Sequence, residues 1–468
     1  MPLVAGVDSS TQSTKVEIRD ADTGALVASG RAPHPPTAPP RSEQDPVHWW
    51  EAFEAAWAVA GSLHVAALSV AGQQHGMVTL DADGTVIRPA KLWNDTESAA
   101  DAAWLIDQLP DGAAGWAAAC GSVPVAAFTI TKLSWLHRKE PQAWDRMARV
   151  VLPHDWLTSC LTGRLATDRG DASGTGYWSP GDGAYRWDLL ALVDRDRDWS
   201  KAVPEVLAPR EPAGHWQGAV VAPGTGDNMA GALGVGLASG DVVVSIGTSG
   251  TVYTVSERPT HDASGFVAGF ADASGAYLPL VCTLNATKVT EAVRQLLGVD
   301  HAELDALALA SVAGAGGVTL LPYLDGERTP NRPTATGALV GLRSDTTREQ
   351  VARAAFEGVA CGLLDGLDAL TAHAPTSGRV LLVGGGARSG AYRQVLADLL
   401  GRPVVVVDGE EHVATGACVQ AAMVLHDRPG SAIAAAWGLG HGRNVEPDES
   451  VDRDAIRAAY ASVRDADL

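Results

Sequence analysis

Cysteine is scarce in this chain of 468 residues. Its five cysteines, Cys120, Cys160, Cys282, Cys361 and Cys418, are scattered and never in CxxC spacing. That argues against a disulfide framework or a zinc site and fits a reducing, cytoplasmic setting. Long apolar runs are missing too: none reaches the roughly 18 residues that a membrane-spanning helix needs. No charged segment followed by an apolar one opens the chain, so a cleaved leader is not expected. Basic charge is thin, with 35 Lys and Arg against 55 Asp and Glu and a net charge of −20. No basic block stands out, which argues against nucleic acid or an anionic membrane as partner. An anionic ligand would therefore need a local device: backbone amides, a helix N-terminus or a metal ion. The GxxxxGKS/T phosphate loop, the HExxH zinc motif and the protein-kinase HRD and DFG set are all absent.

What is present is ordinary globular material, 46% hydrophobic and 19% charged. The chain is too long for one compact core, so two or three domains are expected. Strand-like runs alternate with helical ones. "PLVAGVD" and "TKVEIRD" read as a hairpin and "GALVASG" as a third strand. "DPVHWWEAFEAAWAVAG" has helical spacing, opened by Asp45 as N-cap and Pro46 as first helical residue. "VAALSVAGQQHG" is a buried strand running into a polar loop. This order predicts an α/β protein with a mixed sheet.

The second half starts again in the same way. "DVVVSIGTSGTVYTVSER" (241–258) is strand, small-residue turn, strand. With Asp8 set over Ser245, Val7 falls on Val244, Thr11 on Thr248 and Thr14 on Thr251, an offset of 237 residues. The echo predicts a duplicated domain, 1–237 and 238–468, hinged near the glycine-rich "GALGVGLASGD" (231–241). Two such domains facing each other would make a ligand cleft.

Several polar stretches carry candidate chemistry. "DSSTQST" (8–14) and "SIGTSGT" (245–251) put small residues in tight turns, which leaves backbone N–H groups free to nest an anion. Either alone is a common turn composition; two in corresponding places point to phosphate binding. Asp8 adds a carboxylate suited to Mg2+ through oxygen or water. In "AVVAPGTGDNMAGALGVG" (219–236), Asp227 opens a helix. An N-cap role alone would explain it, and so would a general base that takes a proton from a hydroxyl attacking a phosphoryl group. "SVAGQQHGMV" (69–78) places Gln73, Gln74 and His75 at the end of a buried strand, where open α/β sheets bind ligands. "KLWNDTES" (91–98) adds Trp93, Asn94 and Asp95, with Trp93 either a sugar platform or core. "RVLLVGGGARSGAYRQVLADLL" (379–400) is strand, triple glycine, helix. Ser389 stands where the dinucleotide fingerprint needs its third glycine, so the run reads as a nucleotide site for base or ribose.

Together these pieces resemble the FGGY family of carbohydrate kinases. "GALVGLRSDTTREQVARAAFEG" (337–358) matches that family's second signature and "KLSWL" (132–136) the centre of its first. "GQQHGM", "LWNDT", "DASGT" (171–175), "GTGDN" and "LVGGGARS" look most like the members that act on D-xylulose. The resemblance implies an α/β fold of two actin-like (ribonuclease H-like) ATPase domains with a ligand cleft between them. It implies ATP-dependent phosphorylation of D-xylulose to D-xylulose 5-phosphate in pentose catabolism, with ATP and Mg2+. Asp227 falls on the catalytic base and Asp8 on the aspartate near the phosphates and Mg2+, held through water. Gln74 and His75 fall on the sugar-contacting pair, with Asn228 beside the base and Trp93 a further substrate contact. The phosphates fall to Ser10, Thr11 and Lys15 of the first turn and Gly247, Thr248 and Ser249 of the second. Adenosine falls to Gly385, Gly386, Ala387 and Arg388. A cytoplasmic homodimer is the family expectation.

Two departures stand out. Ser10 and Ser13 replace glycines usual in the opening loop, which stiffens it. Glu97 replaces the arginine usual after the Trp-Asn-Asp element and reverses a charge near the expected sugar site. Three alternatives remain open on sequence. The substrate could be another ketose or polyol, such as D-ribulose or L-xylulose. A non-catalytic actin-like ATPase would predict a strand-rich peptide-binding tail, whereas the last segment reads as helix. An NAD-dependent oxidoreductase would rest on the glycines at 384–386.

Overall fold

The computed structural model describes residues 2–466. The chain forms two compact units that interleave along the sequence. The first takes the residues up to Ala238, then Glu257–Leu278 and Glu411–Leu439; the second takes Ser239–Ser256, Pro279–Glu410 and the chain from Gly440. No helix among the described residues is long and apolar enough to cross a membrane.

In the first unit the strand Leu3–Ser9 is central. It pairs antiparallel with Ser13–Asp20 and parallel with Ala67–Gly72. Ser13–Asp20 carries Leu26–Pro33 on its other side. Ala67–Gly72 carries Ala219–Val221, and Gly214–Trp216 pairs antiparallel beyond that. Every residue of Ala67–Gly72 is buried, as a strand with parallel neighbours and covered faces requires. The helix Val47–Val59 begins as expected. Pro46 already has helical backbone angles (φ −56°, ψ −25°), and Asp45 accepts the Val47 N–H at 3.1 Å. Trp49, Phe53 and Trp57 from this helix join the core that covers the sheet. Trp49 meets Trp156 edge-on at 6.2 Å. Truncating such a buried ring to alanine typically costs about 3–5 kcal/mol.

In the second unit Val242–Ile246 is central. It pairs antiparallel with Gly250–Thr254 and parallel with Val380–Val383. Val404–Val407 follows in parallel and Gly442–Val445 antiparallel. These five strands pair as their counterparts in the first sheet do, so the pairing pattern repeats. The register departs from the simple offset. Asp8 pairs with Lys15, whereas Ser245 pairs with Thr251. The second turn is one residue shorter, so Thr251 stands at the place of Lys15 and not of Thr14.

The expected hinge run is partly helical. Asp227–Gly234 is a helix, and it packs against the helix His412–His426 of the same unit through glycine. A Cβ at Gly416 would be driven into the carbonyl oxygen of Ala230, and one at Gly234 into that of His412. Gly6 meets the Ala414 carbonyl in the same way, which brings the central strand against this helix.

Candidate active site

Three strands of the first unit end side by side. Asp8 and Ser9 pair with Ala71 and Gly72, and these pair with Thr225 and Gly226. The fold thereby delivers Asp8, the 73–75 loop and Asp227 to one edge of the sheet, the usual ligand edge of an open α/β sheet.

Asp227 is the first helical residue, and Gly226 holds the cap position expected for Asp227. Asp227 Oδ1 accepts the Asn228 backbone N–H at 2.8 Å and Asn228 Nδ2 at 3.0 Å. Asn228 Nδ2 also donates to Gln74 Oε1 at 2.7 Å. Burial, with Asp8 and then Asp171 as like charges nearby, pushes the Asp227 carboxyl up to about 7, against the bonds from Asn228. A carboxylate so tuned is a usable base near neutral pH.

Asp8 is buried. Its Oδ2 lies 3.4 Å from Lys15 Nζ, which lies 2.6 Å from Glu411 Oε2. Burial pushes Asp8 up to about 6; Lys15 opposes this and Glu411 adds to it. Asp8 Oδ1 is buried with no hydrogen-bond partner. A buried acceptor without a donor, electrostatically coupled to a second carboxylate, suits a hydrated divalent cation.

The turn after Asp8 uses its hydroxyls internally. Ser10 donates both its N–H and its Oγ to the Ser13 carbonyl, at 3.1 and 3.0 Å. Thr11 Oγ1 donates to Gln73 Oε1 at 3.0 Å and accepts from Trp93 Nε1 at 2.9 Å. Trp93 is thus fastened to this turn. Gln44 Nε2 holds the Thr11 carbonyl at 3.0 Å, and Trp49 Nε1 holds Gln44 Oε1 at 2.8 Å.

Beside the turn lie unpartnered amides. Gln73 Nε2, Gln74 Nε2 and Asn94 Oδ1 are buried without hydrogen bonds, two donors and an acceptor for a polyhydroxylated ligand. His75 is buried against Phe128 and Phe270, with ring centroids 5.0 and 5.5 Å away. Glu97 is not a bare negative charge. Lys91 Nζ, fully buried, sits 2.5 Å from Glu97, 3.0 Å from Asp95 and 3.1 Å from Glu43, over the Trp135 ring. These three carboxylates are close enough to gather a metal ion, but the lysine ammonium already stands among them.

The remaining candidates lie together in the second unit. Thr287 N–H bonds the Gly247 carbonyl at 2.9 Å and Ala286 N–H bonds that of Thr248 at 3.1 Å, while Thr248 itself is exposed. Gly384 and Gly386 press on Ile246, the residue before Gly247, where a Cβ would clash. A Cβ at Gly385 would meet nothing within 4 Å. Gly386 and Ala387 are buried, and Arg388 pairs with Glu410 at 2.8 Å. Ser389 caps the helix Gly390–Leu400. Asp305 takes the Ser389 hydroxyl at 2.6 Å and the Gly390 N–H at 2.8 Å. A carboxylate thus occupies the helix N-terminus where a dinucleotide pyrophosphate would have to bind.

Sequence reasoning misses Glu411 as a partner of Lys15, and it misses a buried cluster formed by His154, Asp155, Asp168 and Asp171. Only "DASGT" touched that cluster, and as a likeness without a role.

Comparison with known proteins gives the family. The FGGY family of carbohydrate kinases, N-terminal domain, matches residues 3–234, and the C-terminal domain of the same family matches residues 242–425. A xylulose kinase of Streptomyces coelicolor is 48% identical over 465 residues, covering 97% of this chain and 94% of its own. A xylulose kinase of Streptomyces rubiginosus is likewise 48% identical, with the same coverage. The crystal structure of xylulose kinase from Bifidobacterium adolescentis superimposes with a TM-score of 0.88 at 43% identity, over 99% of both chains. By both domain matches and by similarity along almost its whole length, the chain belongs to the FGGY family of carbohydrate kinases.

Proposed function

We propose that the protein is a D-xylulose kinase. It moves the γ-phosphoryl group of ATP to the 5-hydroxyl of D-xylulose, giving D-xylulose 5-phosphate and ADP in cytoplasmic pentose catabolism. The observation that carries the mechanism is Asp227, raised to about 7, at one sheet edge with Asp8 and bonded through Asn228 to Gln74. The names of the relatives at 48% identity support the choice of sugar.

Asp227 takes the proton of the 5-hydroxyl as its oxygen attacks the γ-phosphorus in line, and the bond to the bridging oxygen of ADP breaks. Gln74, His75, Trp93 and Asn228 orient the sugar. Ser10, Thr11, Lys15, Gly247, Thr248 and Ser249 serve the phosphates; Ser10 and Thr11 do so by shaping their turn, since their hydroxyls are engaged. Gly385, Gly386, Ala387 and Arg388 serve adenosine. Asp8 would hold Mg2+ through water, and that ion would offset negative charge on the phosphate oxygens.

ADP release should be followed with D-xylulose, D-ribulose, L-xylulose and xylitol. The expected kcat/KM is at least about tenfold higher for D-xylulose than for the others. A preference for another sugar would reassign the substrate, and no sugar-dependent ADP release would overturn the proposal.

A further inference from the structure

Behind the sheet edge lies a charged cluster without contact to solvent. His154, Asp155, Asp168 and Asp171 are each no more than 2% exposed. His154 Nδ1 is 3.0 Å from Asp171 Oδ2, and its Nε2 is 3.3 Å from Asp155 Oδ1 and 3.7 Å from Asp168 Oδ1. The cluster reaches both ligand loops. The backbone N–H of His75, a non-glycine residue in the left-handed region at φ 64°, favours the charged form of Asp171, and a Cβ at Gly174, three residues after Asp171, would clash with the His75 ring. Asp168 Oδ2 accepts Thr225 Oγ1 at 2.7 Å, two residues before Asp227. His154 packs directly on the same two loops. A Cβ at Gly72 would lie 2.9 Å from His154 Cβ, and one at Gly224 would lie 2.5 Å from its ring. Three carboxylates hold the imidazole cationic, up to about 9, although burial opposes the charge. A buried ionic cluster is weak support for stability as such, since apolar residues would serve as well, so its contacts call for another role.

We propose that Asp171 and His154 are positioning residues for the kinase reaction, fixing the His75 backbone on one side and the Thr225–Asp227 loop on the other. This rests on the sugar-site and base roles given above. Asp171 also sets a negative charge toward Asp227. Asp8 is the other carboxylate facing that base, with Lys15 and Glu411 beyond it, and His154, Asp155 and Asp168 stand behind Asp171.

Two substitutions separate the contributions, measured on the intact enzyme with its fold checked by circular dichroism. Asp171→Ala removes the carboxylate beside the His75 backbone and should raise the KM for D-xylulose about tenfold or more, with the KM for ATP unchanged. Asp171→Asn keeps an acceptor oxygen and removes the charge, while His154 keeps Asp155 and Asp168. It should restore the sugar KM and move the acidic limb of kcat/KM about half a pH unit or more to lower pH. Thr225→Val, with Thr225→Ser as control, tests the Asp168 arm independently should Asp171 variants not fold. The valine variant should lose about tenfold in kcat and the serine variant should recover it. Variants with unchanged sugar KM, acidic limb and kcat would overturn the proposal, as would equal loss of every parameter without rescue. Asp227→Asn, run in parallel, keeps the two ideas apart: full activity there would remove the base role itself, whatever Asp171 does.

Discussion

Asp227 can be ionised and still basic near neutral pH because burial and two like charges oppose its ionisation while Asn228 favours it. With D-xylulose limiting, kcat/KM is expected to rise with pH through about 7 and level off above, since the base must be deprotonated. A profile flat from pH 5 to 9 would remove Asp227 from the role. Asp8, Gln74, His75 and Asp227 stand out in the sequence as candidates because polar residues at the ends of buried strands have few structural reasons to be there, and the fold brings them to one sheet edge. The hydroxyls of Ser10 and Thr11 were legible as donors, but not their direction. Composition does not tell that they bond Ser13, Gln73 and Trp93. Glu97 shows the same limit. Its charge is plain in the sequence, but its answer depends on a short strand, Ala90–Lys91, that turns Lys91 inward.

At the scale of elements, the helix that begins with Asp227 is set by glycine contacts across the chain. Gly416→Ala puts a methyl group into the Ala230 carbonyl, and the two helices must separate. The expected result is a loss of about 1–3 kcal/mol in stability, read from the denaturant midpoint. A loss of about tenfold in kcat should accompany it as Asp227 moves. Unchanged turnover would mean that helix His412–His426 does not position the base. The sequence reading opens a helix at Asp227 but does not mark His412–His426, and a contact between residues so far apart in sequence leaves no local signal. The paired turns were legible as an echo, and the one-residue difference was not, because register is set by backbone pairing. The glycine run at 384–386 misleads for a physical reason. Gly386 is required by Ile246, and Asp305 fills the helix N-terminus that a dinucleotide would use.

At the scale of the whole molecule, alternation of strands and helices was enough to give the α/β class, and the echo at an offset of 237 gave the duplication seen in the two sheets. Interleaving of the units was not legible, since only packing assigns Glu411–Leu439 to the first. All 14 tryptophans lie in the first unit, so tryptophan fluorescence, excited apart from tyrosine, reports on that unit alone. Its stability should fall with rising pH. Asp155 and Asp227 keep protons up to about 7 when folded, whereas the unfolded chain releases them from about 3.8. His154 likewise keeps its proton to about 9 against 6.5 unfolded, so its contribution is complete below 6.5 and lost through 9. In both cases the folded state binds more protons, and stability declines as pH rises. The fluorescence Tm is expected to be several degrees lower at about pH 9 than at about pH 6, and His154→Gln should flatten the upper part of that fall. The most direct measurement is turnover of Asp227→Asn at saturating D-xylulose and ATP, followed as ADP and D-xylulose 5-phosphate. A fall in kcat of about a thousandfold with sugar binding retained is expected; turnover at the wild-type rate would contradict the assignment of Asp227 as the base.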